Sequence, residues 1–260
     1  MRHTLFKNLE NAFWSFVSLD HYQDQHLHAY SSSVTAVPGF NLLYLHHGAT
    51  LEAFEKALAW YQEKGQDTLI VCEKDDASAL IAAQKERLHL VEEAPTTAMI
   101  LDLQTWKPLT NRAQNYLIEE VQAPLDDWSN PLSTAFSDGE SELSELDLEV
   151  TKQHQAAHEM ALTKGAPIHH FVMKVAGIPV CNLSLTLTED GARFDDIGTD
   201  IPQQGKGYAT TLIQHALLFA KEQGATIAVL ESSNEGLSIY QKLGFETLFE
   251  YEAFVWEHQS

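Results

Sequence analysis

The chain has 260 residues, 44% of them hydrophobic and 20% charged, enough to build a sizeable core in one large or two small domains. A formal net charge of −21 excludes the lysine- and arginine-rich surface that non-specific nucleic-acid binding needs, and no apolar run is long enough to span a membrane. The two cysteines, Cys72 and Cys181, cannot make a disulfide framework; each lies in an apolar, strand-like run and reads as a buried free thiol, pointing to a reduced, cytoplasmic setting.

Residues 5–19 read as a helix. Its apolar patch, Ala12 to Leu19, follows Glu10 and is not followed by a small-residue cleavage site, so the segment suits an amphipathic helix better than a signal peptide. GFNLLYLH (39–46) suggests a strand after a Pro38-Gly39 turn. Thr50 can cap the next helix, whose Leu51, Phe54, Leu58 and Tyr61 recur at helical spacing until Gly65 ends it. TLIVCEK (68–74) suggests a strand and 77–87 a helix. LHLVEE and TTAMILDL (96–103) are two further strand candidates. Residues 1–110 therefore read as one α/β unit, followed by a polar linker at 104–112 that contains Pro108.

The second unit, 111–260, opens with NYLIEEV (115–121) as a strand, and Pro124 stands at a helix start. SDGESELSELDLE (137–149) is acidic and serine-rich: either a loop that can move, or a solvated helix or linker. Residues 151–162 are helical, FVMKV and IPVCNLSLTL (171–187) make a hairpin about Gly177, and ARFDDIGTDI (192–201) is a strand. Residues 1–110 hold 14 acids and 8 bases, and 111–260 hold 23 acids and 8 bases, so the acidity concentrates in the second unit. Such a field would steer a cationic amine, although an acidic surface also serves solubility alone.

QQGKGYATTLIQHALLFAKEQGA (203–225) is the most informative stretch. A glycine turn runs straight into a helix with the buried stripe Ala209, Leu212, Ile213, Ala216, Leu217, Ala220. Strand, glycine turn and helix N-terminus together make an anion-binding construction, because several backbone N–H groups and the positive end of the helix dipole converge. It is not a Walker loop: Gly205-Lys206 precedes Gly207, and Asp200 takes the place of the first glycine. Nor is it a dinucleotide fingerprint, since Thr210 takes the place of the third glycine. After the helix come the apolar strand TIAVLES (226–232), Asn234, a short helix with Leu237 and Tyr240, Leu243-Gly244-Phe245, and the aromatic strand 247–256.

The hexapeptide Gln204-Gly205-Lys206-Gly207-Tyr208-Ala209 resembles the acyl-CoA pyrophosphate loop of the GCN5-related N-acetyltransferase (GNAT) family, and Tyr240 shortly before Leu-Gly-Phe resembles the family's second signature. More weakly, MILDL (99–103) resembles the element that closes the degenerate first domain of tandem members. The resemblance implies an α/β (α+β) fold of two tandem acetyltransferase-like domains, each a mixed, mostly antiparallel sheet flanked by helices. It implies a degenerate domain at 1–110, which lacks the loop motif, and an acyl-CoA-binding domain at 111–260. The first domain would cover a sheet edge, contribute to the acceptor cleft, or make a homodimer.

The same resemblance implies transfer of an acetyl group from acetyl-CoA to a primary amine of a small molecule, amino acid or peptide by direct attack, with no nucleic-acid or membrane partner. A non-catalytic acyl-CoA-binding or regulatory protein is the alternative. Ile197, Gly198 and Thr199 would pair with the pantetheine arm, Gly198 allowing a bulge. The pyrophosphate would sit on the amides of Gly205, Lys206, Gly207, Tyr208, Ala209 and Thr210, with Gln204 opening the loop and Asn234 touching the cofactor arm. Lys206 either reaches a phosphate or is solvated. Tyr240 would be the general acid, its other reading being a buried aromatic on a short helix. Where many members place a glutamate base this chain has Arg193; Asp195, Asp196, Glu231 and water stay open. No metal is expected. His26, His28, His46, His47, His169 and His170 show no cluster of further ligands. His154 and His158, at i and i+4, do not form His-Glu-x-x-His.

Overall fold

The computed structural model describes residues 1–35, 37–110, 115–135 and 144–259. The end of the expected linker, 111–112, and most of the acidic stretch, 137–143, lie outside them. In the first half, helix α1 (Arg2–Val17) is followed by strands β1 (Asp20–Asp24), β2 (Leu27–Ser31) and β3 (Leu42–Leu45), helix α2 (Leu51–Lys64), β4 (Thr68–Glu73), α3 (Asp76–Gln84) and β5 (Val91–Asp102). The second half runs β6 (Tyr116–Val121), α4 (Asp126–Ala135), α5 (Glu145–Thr163), β7 (Ile168–Val175), β8 (Ile178–Thr188), β9 (Gly191–Thr199), α6 (Tyr208–Glu222), β10 (Ile227–Ser232), α7 (Leu237–Leu243) and β11 (Glu246–Trp256).

The sequence pattern misses the β1–β2 hairpin, because β1 is an edge strand exposed on both faces and so carries no apolar alternation. The two strand candidates before residue 103 are one twelve-residue strand, β5. Pro95 is tolerated within it at a register irregularity against β11, where Thr96 pairs with Tyr251 and Glu93 with Ala253. Helix α5 begins inside the acidic stretch. Ser144 and Asp147 form a reciprocal capping box there, so the serine and acids from 144 onward start a helix.

All eleven strands join one sheet in the order β1-β2-β3-β4-β11-β5-β10-β9-β8-β7-β6. Only β3–β4 and β9–β10 are parallel; the other neighbours are antiparallel. The two halves therefore share their strands. β11, the last strand of the chain, pairs with β4 of the first half, and β5, the last strand of the first half, pairs with β10 of the second. β5 and β11 also pair with each other at the centre.

Strand alternation sorts the side chains of these central strands to two layers. Met99, Leu101, Ala228 and Leu230 join the core under α6, built from Leu212, Ile213, Ala216, Leu217 and Ala220. Ala98, Ile100 and Val229 face the other way, under Phe6 and Leu9 of α1. Helices α4 and α5 continue this second layer, with Trp128 over Val172 and Ala161 against Phe13. A third core, beneath α2, takes Phe54, Leu58 and Tyr61 from the helix and Phe254 and Trp256 from the exchanged β11.

Because Met99 is fully buried and pairs with both Leu230 and Thr247, it belongs to both halves at once. Met99→Ala should lower stability by about 2–5 kcal/mol. Denaturant unfolding followed by far-UV dichroism and by tryptophan fluorescence should give one coincident midpoint; two midpoints would show that the halves unfold separately.

Candidate active site

β9 and β10 pair side by side only from Ala192 to Phe194, against Ala228 to Leu230. Beyond Phe194 and Leu230 they diverge. The β10-facing backbone edge of Asp195 to Thr199 then has no strand partner, while the far edge stays paired with β8. An extended ligand could add itself to such an edge as a strand. In the first half the corresponding parallel pair, β3–β4, holds its register along all of β3, so no gap opens. There Thr50 also caps α2 by accepting from the Ala53 N–H, leaving that helix end less free for an anion.

A register shift interrupts β8–β9 between Asn182 and Ser184, opposite Asp195 to Gly198. The residue with positive φ there is Asp196, at 52°, and not Gly198. Gly198 flanks this irregularity and also serves close packing: a Cβ at this position would lie 2.7 Å from Asn182 Oδ1 and 3.2 Å from Leu132 Cδ2. It lets α4 approach the open strand, and the Thr134 hydroxyl completes that contact by donating to Asp200 Oδ1 at 2.8 Å. Ile197 packs against the main core, and Thr199 Oγ1 donates to the buried Cys181 thiol at 3.3 Å.

The loop after β9 makes a short 3-10 turn at Ile201–Gln203, then passes through Gly205 (φ 75°) and Gly207 (φ 83°) into α6. Two left-handed residues so close together demand glycine. Gly207 is the N-cap of α6 and has no side chain with which to cap it. The N–H groups of Tyr208, Ala209 and Thr210, in the first turn, have no acceptor within the helix. Gln204 folds back, its Nε2 donating to the Thr199 carbonyl at 3.2 Å. Lys206 also turns into its own loop and donates to Gln203 Oε1 at 2.7 Å and to the Pro202 carbonyl at 3.1 Å. Tyr208 and Ala209 pack onto the α6 core.

Tyr240 lies on α7 with its ring edge-on to Phe245 at 6.1 Å. Burial raises its pKa, with Cys181 and Asp195 as ionisable neighbours that add to the effect. Cys181 is on β8 and Asp195 on β9, and the raised pKa keeps Tyr240 protonated at neutral pH. Asn234 lines a cleft of about 580 Å³ with Leu237, Thr96, Lys74 and Lys85, set between α7 and the first half.

On the α1 face of the gap, Arg193 is 1% exposed. Its Nε donates to both Asp195 oxygens at 3.0 and 3.1 Å, and Glu10 and Glu231 lie at 4.0 Å. Burial pushes the Asp195 carboxyl up to about 7 against the pull of Arg193. Asp196 meets His154 at 2.8 Å, and Glu231 accepts from Tyr44 at 3.0 Å and Thr96 at 2.6 Å. Each open candidate for the base thus has partners. Glu10 was missed, and the signal that could have found it is its place on the stripe Phe6, Leu9, Phe13, Val17 that α1 buries, where an unpaired acid would be costly. The gathering of His154, His158 and Asp196 was not legible, since it depends on where α5 crosses β9.

Gly198→Ala should cost about 1–3 kcal/mol through overpacking between β9 and α4. The shift in denaturation midpoint measures it, and a neutral result would remove the close-approach account.

Residues 166–247 match the family model of the acetyltransferase (GNAT) domain. No curated protein matches the chain. Among solved structures, a conserved protein of unknown function from Staphylococcus epidermidis is 12% identical, with 92% of this chain and 93% of that one covered at a TM-score of 0.67. A GCN5-related N-acetyltransferase from Kribbella flavida is 11% identical, with 98% and 96% covered at 0.67. A tandem GNAT protein from the clavulanic acid biosynthesis pathway is 14% identical, with 90% and 79% covered at 0.58. At these identities the structures speak for the fold, and the matched domain spans β7 to the start of β11, with the gap and the loop inside it. Residues 166–247 thus form a segment similar to the acetyltransferase (GNAT) domain, set within a fold shared with GNAT structures.

Proposed function

We propose that the chain is an N-acetyltransferase that takes the acetyl group of acetyl-CoA to a primary amine of a small molecule, amino acid or peptide. The observation that carries this reading is the parting of β9 from β10 after Phe194, immediately ahead of a glycine loop and an uncapped helix. An extended thioester arm along Asp195 to Thr199 would satisfy backbone groups that have no strand partner on that side. Its pyrophosphate would then reach the N–H groups from Gly205 to Thr210. At net charge −21 the long-range field opposes a polyanion, so the short-range hydrogen bonds of this cradle must outweigh it.

Transfer is direct. The neutral amine attacks the thioester carbon, the C–S bond breaks, and the departing thiolate takes a proton. Tyr240 is protonated at neutral pH and lies near Asp195 of the gap, which suits it to give that proton. The amine must lose a proton as well, and Asp195, Asp196, Glu231 or water would receive it. The engagement of all three carboxylates favours the second reading, a non-catalytic acyl-CoA-binding protein. Among the described residues no helix is long and apolar enough to cross a membrane, and the two free thiols fit a reducing, cytoplasmic site.

Calorimetric titration should show acetyl-CoA binding to the wild type and none to Gly207→Glu, which puts a carboxylate at the helix N-terminus. No binding to the wild type would end both readings. With a panel of amines, Tyr240→Phe should lower kcat about 10²–10⁴-fold while leaving the Kd for acetyl-CoA unchanged. An unchanged kcat would remove Tyr240 from the chemistry, and no thiol release with any amine would leave the binding role.

A further inference from the structure

His154 and His158 stand one turn apart on the inner face of α5, and both reach Asp196, the residue with φ 52° at the β9 irregularity. One donor atom from each lies within 4.8 Å of the other two. His158 is completely buried. Its Nδ1 is 2.9 Å from His170 Nε2, so its Nε2 is left facing Asp196 Oδ2 at 3.4 Å. Among the described residues neither His158 Nε2 nor Asp196 Oδ2 has a well-formed hydrogen bond, and the Ser184 hydroxyl is the remaining polar group beside the carboxylate.

Both proton arrangements leave a deficit. If His158 donates from Nδ1 to His170, a bare nitrogen lone pair confronts a carboxylate oxygen. If His170 donates instead, the His158 Nε2–H is too far from Oδ2 for a good hydrogen bond. Two neutral imidazoles and one carboxylate are a donor set for a borderline divalent cation. Ligands at 2.0–2.1 Å in a tetrahedral site lie about 3.3 Å from one another. The His158–Asp196 separation already has that length. The His158–His170 contact supplies the outer hydrogen bond that orients a ligating histidine.

We infer that His154, His158 and Asp196 form a binding site for a zinc-class divalent cation that fastens α5 to the β9 irregularity. The intervening residues are Gln155, Ala156 and Ala157, so the pair lacks the glutamate that serves as base in a hydrolytic His-Glu-x-x-His helix. The role is structural: the cation fixes the strand on which the proposed thioester arm would lie, and it neutralises a buried carboxylate.

The test is titration of the chelator-stripped full chain with cobalt(II), followed by displacement with zinc(II). The wild type should develop the visible absorption of low-symmetry cobalt, saturating at one ion per chain and abolished by zinc. It should also melt higher with zinc than with chelator. His154→Ala and Asp196→Asn should lose the band, and His170→Gln should weaken binding about 10–100-fold. His47→Ala is the control, because His47, Asp75 and Asp76 form a second cluster that is exposed. That variant should behave as wild type. Should a variant fail to fold, the wild-type spectrum and its zinc displacement decide. Absence of the band in the wild type, its persistence in folded His154→Ala, or its loss in His47→Ala would each overturn the site.

Discussion

A guanidinium without access to solvent must be surrounded by its own anions, and Arg193 finds them on three elements. Asp195 comes from its own strand, Glu10 from α1 and Glu231 from β10. Phe6 and Phe13 of α1 lie 5.7 Å from the guanidinium carbon and exclude water around it. The arrangement is costly to dehydrate and costlier still to break, because removing any one partner strands a buried charge. It therefore determines where α1 sits and, with α1, how the first half lies on the second. Tyr251 extends the lock to the C-terminal strand by donating to Glu10 at 3.0 Å.

This lock stands at the point where β9 leaves β10. Phe194 and Leu230 close the paired part on the α6 side, while Arg193, Asp195 and Glu231 lie on the α1 side just before and after the divergence. The gap is thus held open by groups that cannot move independently. A backbone edge without a partner would normally be a weak point, since unpaired peptide groups invite rearrangement. Here the β8 pairing on one side and the charge cluster on the other keep the edge rigid, a preorganisation that extended-ligand binding requires.

Much of this was legible in the residues. The loop at 203–210, the α6 stripe and the order of strands in the second half follow from glycine placement and apolar periodicity, and the structure carries them as expected. What the pattern could not convey was long-range. The place of β5 between β10 and β11 is set by pairing across more than a hundred residues, and nothing local in TTAMILDL distinguishes one neighbour from another. The close packing at Gly198 was not legible for a related reason: its neighbours Leu132 and Asn182 are distant in sequence. Arg193 stood out only as a departure from a family pattern, and its anions lie on elements 38 to 183 positions away as well as next to it.

The exchange of final strands also bears on how the chain comes to be made. When the first half leaves the ribosome, β4 and β5 exist but the strand that belongs between them has not been synthesised. β11 follows β10 and α7 in chain order, so the first sheet must wait, incompletely paired, until the second half has emerged. Its Met-Ile-Leu segment is exposed to self-association during that interval. Loss of β11 would damage the core beneath α2 before it touched the gap between β9 and β10.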